Sequence, residues 1–298
     1  MTEELGKGIV RVLNVHGYVF QYSVLKTIES IYRTGRSPWC FEAAEFPVSL
    51  KNTPVHIDFI LAHKEEYSYI IAECKRCDPS LSNWCFIKAP YVSRGPSRGE
   101  RIVRELIIKA KGSPVIKTGL QWIVRSNEVY HLPFELRNRG KGEGQYGRGQ
   151  INDSVTQVLR GLNGLIELAI ESAKRGSMAF LKSDPRENLY ATFMPVVFTT
   201  AKLWVSDCDI SLGNIESGNI EIEESKLHEV KWLFYQYGQS PALKHSYSAV
   251  RENSDISQIL YLDYTRTIPI VNASGIGEFL SDDLWHWPAD WQSDIDIK

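Results

Sequence analysis

Between residues 16 and 76 the polar and apolar positions change period once, and that change predicts a helix followed by three strands. Residues 16–33, "HGYVFQYSVLKTIESIYR", place Val24, Leu25, Ile28 and Ile31 at the spacing of one helical face, and Thr34-Gly35 ends the run. After that come three β-leaning runs, "WCFEAAEFPVSL", "PVHIDFILAH" and "YSYIIAECKRC", separated only by "KNT" and "KEE". Connections that short suit antiparallel hairpins. Residues 78–149 lose this rhythm. Aromatics mix with Arg and Lys through "SNWCFIKAPYVSRGPSRGERIVRELIIKAKGSP", "GLQWIVRSNEVYHLPFEL" reads as a strand pair turning near Ser126-Asn127, and "RNRGKGEGQYGRGQ" is a glycine-rich basic loop.

A second amphipathic helix is predicted at 151–175, with Asp153 or Ser154 as N-cap and Val158, Leu162, Leu165, Ile166 and Ala169 on its apolar face. One long strand, "YATFMPVVFTTAKLWVSD", follows. The order is therefore α-β-β-β, an insertion, then α-β. Further strand-rich material around "IEIEESKLHEVKWLFYQYG" and "QILYLDYTRTIPIV" leads to a short helix near Ser274 to Leu280 and a Trp-rich tail. Four segments result: 1–77, 78–149, 150–205 and 206–298.

Composition changes this picture little and charge changes it more. The 298 residues are 43% apolar and 23% charged, as in an ordinary soluble globular chain. The net charge of −2 hides a segregation: residues 1–75 carry 8 Lys/Arg against 9 Asp/Glu, residues 76–160 carry 15 against 7, and residues 161–298 carry 11 against 20. A middle third this basic suits contact with a polyanion, whereas a solvated surface balancing the acidic third explains it equally well. Neither an apolar leader nor a run of about 18 apolar residues is present, so a cytoplasmic, non-membrane protein is expected. Five cysteines without framework spacing (Cys40, Cys74, Cys77, Cys85, Cys208) fit reduced thiols in that compartment.

The candidate chemistry lies in the second and third strand runs. Alternation puts Glu73 and Lys75 on one face of a strand, and Asp58 lies in the hairpin partner. An Asp inside "HIDFIL" is disfavoured in a strand and costly to bury unpaired, so it needs a cation or a donor. Two neighbouring carboxylates repel unless a divalent cation neutralises them, and carboxylate oxygens are the hard ligands that Mg²⁺ or Mn²⁺ prefers. Such a cation polarises a phosphodiester and activates water, while an ammonium such as Lys75 orients that water and balances developing charge. An acid-X-Lys pair alone is more often a solvated strand face.

Asp58 followed by Glu73-Cys74-Lys75, set in helix–three strands–helix–strand order, resembles the PD-(D/E)XK, or restriction-endonuclease-like, nuclease superfamily over roughly residues 16–76 and 150–205. The resemblance implies an α/β fold with an αβββαβ core and mixed central sheet, carrying a basic insertion and a strand-rich C-terminal extension. It implies that Asp58, Glu73 and the backbone carbonyl of Cys74 hold Mg²⁺ or Mn²⁺ and that Lys75 is catalytic. Ile57 stands where the family signature has Pro. Gln21 occupies the nearest position to a Glu that many members carry on the first helix. Glu45, Glu42 and Glu29 are candidates for an additional acid, with Glu45 favoured, and Gln150 and Gln157 are candidate accessory residues.

For nucleic-acid backbone contact the candidates are Arg94, Arg98, Arg101, Lys141 and Arg148; in the same stretch, Arg104 and its neighbours also suit ion pairs with Glu100 and Glu105 on a helix. "GEGQYG" at 142–147 matches a dinucleotide-binding glycine pattern but no βαβ unit surrounds it, so a loop is the better reading. Cys74-X-X-Cys77 lacks a second zinc half-site, and His16, His56, His63 and His131 have no partner at ligand spacing. The expectation is a metal-dependent endonuclease acting on DNA, with RNA not excluded, serving bacterial anti-phage defence or restriction. An activating protein partner and a homodimer are the expected associations. The alternative is a catalytically degenerate member acting as a nucleic-acid-binding or assembly subunit.

Overall fold

The computed structural model describes residues 6–8, 17–64, 68–77, 82–88, 100–109, 116–126, 128–136, 146–147, 149–175, 182–183, 189–206, 216–217, 226–238 and 265–281. Helix α1 spans Gly17–Arg33 and buries Phe20, Gln21, Val24, Ile28 and Ile31. It ends as the sequence predicts: Gly35 takes a left-handed φ of 69°, its N–H donates to the Tyr32 carbonyl at 2.9 Å, and the N–H of Arg36 donates to the Ile31 carbonyl at 3.1 Å. These two bonds satisfy carbonyls that the helix end would orphan.

Strands β1 (Trp39–Leu50), β2 (Thr53–His63) and β3 (Ser68–Lys75) form an antiparallel meander. Helix α2 (Gly149–Lys174) then crosses over to β11 (Leu189–Thr199), which pairs parallel to β3 along eight positions, from Thr192 opposite Ser68 to Thr199 opposite Lys75. The chain is mixed α/β around a mixed sheet. The remaining members of that sheet's main path are β15 (Thr265–Asn272), β14 (Trp232–Gly238) and β7 (Val129–Tyr130), in the order β1-β2-β3-β11-β15-β14-β7. A hairpin of β5 (Glu100–Lys109) and β6 (Ile116–Ser126) joins the N-terminal half of β11, as does the short β10 (Lys182–Ser183).

A second sheet runs β13-β12-β4-β8-β9, from Leu227–Val230, Lys202–Ser206, Asn83–Ile87, Leu132–Leu136 and Tyr146–Gly147. After β15 the chain makes a turn of 3-10 helix at Ala273–Gly275 and the short helix α3 (Ile276–Ser281).

Two apolar cores lie on opposite faces of the main sheet. One is filled by α2, with Val158, Leu162, Leu165, Ile166 and Ala169 against Ile57, Ile71, Phe193 and Val197. The other is filled by α1 and α3, with Val24, Ile28 and Phe279 against Phe59, Ile70, Val196 and Phe198. Both faces of β3 and β11 are covered, which is why these strands read as continuous apolar runs. Gly161 and Gly164 let α2 come close to β1 and β2: a Cβ at Gly161 would lie 2.9 Å from Ile57 Cγ1, and one at Gly164 would lie 2.7 Å from Val48 Cγ2.

Three sequence expectations are corrected. The run 190–207 is two strands, because the chain turns at Thr200-Ala201, where the Thr199 hydroxyl accepts the Ala201 N–H at 3.1 Å, and β12 then enters the second sheet beside β4. The segment around Ser126-Asn127 is no hairpin, since β6 pairs with β5, β7 with β14 and β8 with β4. Neither Asp153 nor Ser154 caps α2. The helix begins at Gly149, and the buried carboxylate of Glu135, from β8, accepts the Ile151 N–H at 2.8 Å. Ser154 instead donates back to the carbonyls of Gln150 and Ile151.

Candidate active site

The pairing of β2 with β3 covers only four positions, from Ala62 opposite Tyr69 to Phe59 opposite Ala72. The next pair along the ladder would be Asp58 and Glu73. Alternation in β2 fails at this same point: Ile57 lies in the α2 core and Phe59 in the α1 core, although residues two apart share a face in a regular strand. The Asp58 side chain accordingly turns along the sheet, and its Oδ2 accepts the N–H of Cys74 at 2.7 Å. The carboxylate thus replaces a missing ladder partner and props the two strands apart. Within an extended strand the N–H and C=O of one residue point to the same edge. The Cys74 carbonyl therefore faces the same opening as Asp58, while the Lys75 carbonyl faces β11 and accepts the Thr200 N–H at 3.3 Å.

On the other side of β2, Ala44 lies opposite Phe59 and Phe46 opposite Ile57, which sets Glu45 across from Asp58. Glu45 has φ 48°, a left-handed conformation uncommon for a residue with a Cβ and characteristic of sites held by their surroundings. The holder is Gln21 of α1. Its Nε2 donates to Glu45 Oε1 at 2.8 Å and to the Asp58 carbonyl at 2.7 Å. Glu45, Asp58 and Glu73 form a row across three neighbouring strands, and Lys75 follows Glu73 on the same face of β3.

The electrostatics agree with that row. Glu73 is 6% exposed, and burial, then the Asp58 charge, push its pKa up to about 9, against a smaller opposing pull from Lys75. Burial also raises Asp58 to about 6, opposed by the Cys74 N–H and Lys75 and assisted by Glu45. Glu45 itself is exposed at the rim of the site.

Other residues singled out from the sequence lie elsewhere. Glu29 is exposed and pairs with Arg33 at 2.6 Å within α1. Glu42 is exposed at a bulge in β1, and its charge acts on the Tyr69 phenol. Gln157 falls on the exposed stripe of α2, and Gln150 sits in the first turn of that helix with Oε1 buried and unpartnered. Arg101 is on β5 opposite Arg125, and the helix expected to carry Glu100, Arg104 and Glu105 is this strand instead, paired along its length with β6. Arg94, Arg98, Lys141 and Arg148 lie outside the described residues, as does most of the glycine-rich loop.

Cys74 and Cys77 face opposite cores, and the Cys77 thiol contacts the Thr199 hydroxyl at 3.2 Å, so the pair makes no zinc half-site. Sequence reasoning missed Glu135, whose capping partner is 16 residues away and whose only local signal is a charge in an otherwise apolar run.

Among the described residues no group of three or more His, Cys, Asp and Glu side chains is arranged to hold a metal ion. What the site offers a hard cation is two carboxylates, Asp58 and Glu73, and the neighbouring Cys74 carbonyl. Among the described residues no helix is long and apolar enough to cross a membrane. No family model, curated protein or solved structure matches the chain.

Proposed function

We propose that this protein is a divalent-metal-dependent nuclease with a restriction-endonuclease-like core, hydrolysing phosphodiester bonds of DNA as an effector of bacterial anti-phage defence or restriction. One observation carries the reading: where β2 leaves β3, the Asp58 carboxylate is fixed by the Cys74 N–H at 2.7 Å beside buried Glu73, with Lys75 two residues on. The order α1-β1-β2-β3-α2-β11, with β11 parallel to β3, supports the core. Burying two carboxylates together without compensation is costly, and their raised proton affinity expresses that cost.

Asp58, Glu73 and the Cys74 carbonyl would hold Mg²⁺ or Mn²⁺, since all three present hard oxygens at one opening. When bound, the ion supplies Lewis acidity toward a phosphodiester and an acidified water. The chain's own groups do the rest. Gln21 fixes the Asp58 backbone and Glu45, so the acid row keeps its shape. Lys75, whose charge acts on both acids, would orient the attacking water and offset negative charge growing on phosphorus. Glu45, at the rim, is placed to accept a proton from solvent-side water.

The test is incubation of the protein with supercoiled and linear DNA in Mg²⁺, Mn²⁺ or EDTA, beside Asp58→Asn and Lys75→Ala. Cleavage that requires metal and disappears in both variants is the expected result. A second reading is a degenerate fold that binds nucleic acid or assembles with a partner, in keeping with a site that offers two side-chain ligands among the described residues. Salt-sensitive DNA binding that persists in both variants, with no cleavage in any metal, would establish it.

A further inference from the structure

Beyond Cys74, whose N–H goes to Asp58, the end of β3 has no ladder partner in β2 among the described residues, and its ladder with β11 stops where Thr199 lies opposite Lys75. What holds the backbone there is Thr200. Its N–H donates to the Lys75 carbonyl at 3.3 Å, and its Oγ1 accepts the Cys77 N–H at 2.9 Å, so one residue grips the chain on both sides of Arg76. A regular parallel ladder would offer Cys77 a backbone carbonyl of β11. Here the chain turns away at Ala201 into β12, and the hydroxyl takes the carbonyl's place. The turn is itself tied down. Thr199 Oγ1 accepts the Ala201 N–H at 3.1 Å and meets the Cys77 thiol at 3.2 Å, and Asn272 of β15 donates its Nδ2 to the Ala201 carbonyl at 2.6 Å.

We propose that Thr200 is a positioning residue for Lys75: by clamping residues 75–77 onto the end of β11 it fixes the point from which the ammonium reaches the acids. This deepens the nuclease reading and rests on it for the role of Lys75. A lysine carries its charge on a flexible stem, so its aim depends on where its backbone is held. The Lys75 charge acts on Asp58, on Glu73 and on the Cys77 thiol, which places it between the acids and the clamp. The two acids do not depend on Thr200. Asp58 belongs to β2, and Glu73 lies inside the continuous part of the β11 ladder, opposite Val197. Releasing the clamp therefore disturbs Lys75 and spares the groups that would hold the cation.

The experiment compares the full chain with Thr200→Val, which keeps the branched shape and loses the acceptor, and with Thr200→Ser, which keeps the hydroxyl. Thr200 is exposed, so water can take up the freed Cys77 N–H and the fold survives the change. Two quantities are read: amide hydrogen exchange at Cys77 by NMR in EDTA, and the single-turnover rate of DNA cleavage across a Mn²⁺ series. In Thr200→Val the Cys77 amide should exchange about tenfold faster, the loss of one hydrogen bond. Its cleavage rate at saturating Mn²⁺ should fall by about ten- to a hundredfold, as expected for a misplaced catalytic group, with the half-saturating Mn²⁺ concentration unchanged. Thr200→Ser should restore both exchange and rate. Faster exchange with an unchanged rate would overturn the proposal and leave the nuclease reading standing. A raised half-saturating Mn²⁺ concentration would also overturn it, by assigning Thr200 to the cation site, and so would unchanged exchange at Cys77. A parent that cleaves nothing in any metal would remove the nuclease reading and the proposal together.

Discussion

The two edges of β3 have opposite fates. Toward β11 the ladder continues unbroken for eight positions, flanked by stacked pairs such as Tyr69 with Phe193 at 5.5 Å. Toward β2 it stops after four, and the strands open at Asp58 and Glu73. The same strand is thus a continuous core element on one side and, on the other, ends its ladder beside two acids. A buried strand can present charge only where its ladder ends, because there a side chain replaces the missing backbone partner. Asp58 does this by accepting the Cys74 N–H. The closed edge fixes the position of β3, and the open edge carries the two acids.

Breaking the open edge should produce the largest effect. Asp58→Asn and Lys75→Ala are each expected to lower DNA cleavage by about a hundred- to thousandfold, the loss typical of removing one preorganised charged group, measured as single-turnover rates in saturating Mg²⁺. Circular dichroism should leave both folds intact.

The next effect is on stability and has a definite sign. The Glu73 pKa is raised from 4.5 to about 9 in the folded, metal-free protein, so the folded state binds the proton more tightly than the unfolded chain. The stability this contributes is complete below about 4.5 and is lost as pH rises through about 9. Glu73→Gln cannot ionise. The variant should match the parent in acid and exceed it by about 2–4 kcal/mol at the alkaline end of that window, as read by urea denaturation in EDTA. A parent whose stability is flat across the window would refute the burial of this acid.

A smaller loss tests how close α2 lies to the open half of the sheet. Gly164→Ala puts a methyl 2.7 Å from Val48 Cγ2 and 3.4 Å from the Ser49 carbonyl. Overpacking should outweigh the better helix propensity of alanine and cost about 1–2 kcal/mol by the same denaturation assay. Glu29→Ala, which removes an exposed pair with Arg33, should change stability by less than about 0.5 kcal/mol and leave cleavage untouched.

Local signals reveal the open edge better than the closed one. The boundaries of α1, β1, β2 and β3 follow from periodicity and turn residues, and Asp58, Glu73 and Lys75 stand out because charge interrupts apolar runs. Gln21 and Glu45 each stand out through the resemblance, but their meeting joins a helix to a strand 24 residues away and is not legible. What is not legible is long-range. The division of 190–207 at Thr200-Ala201 has neither Gly nor Pro to mark it, because a threonine hydroxyl makes the turn. The cap of α2 comes from Glu135 on another element, so Asp153 and Ser154 satisfied the local pattern without performing the task. Glu29 and Gln157 have the right residue types for a site but the wrong helical phase: both face solvent.

Joint binding of a divalent cation by Asp58 and Glu73 is tested most directly by calorimetric titration of Mn²⁺ between about pH 6 and about 9, across the raised values of the two acids. The parent protein is expected to bind with affinity that increases over that range and to release protons as it does so, because the cation displaces them from Glu73. Asp58→Asn and Glu73→Gln should each bind weakly, and Glu73→Gln should do so without the proton release that Glu73 supplies. Equal Mn²⁺ binding in parent and variants, or none in the parent at the alkaline end, would contradict the account.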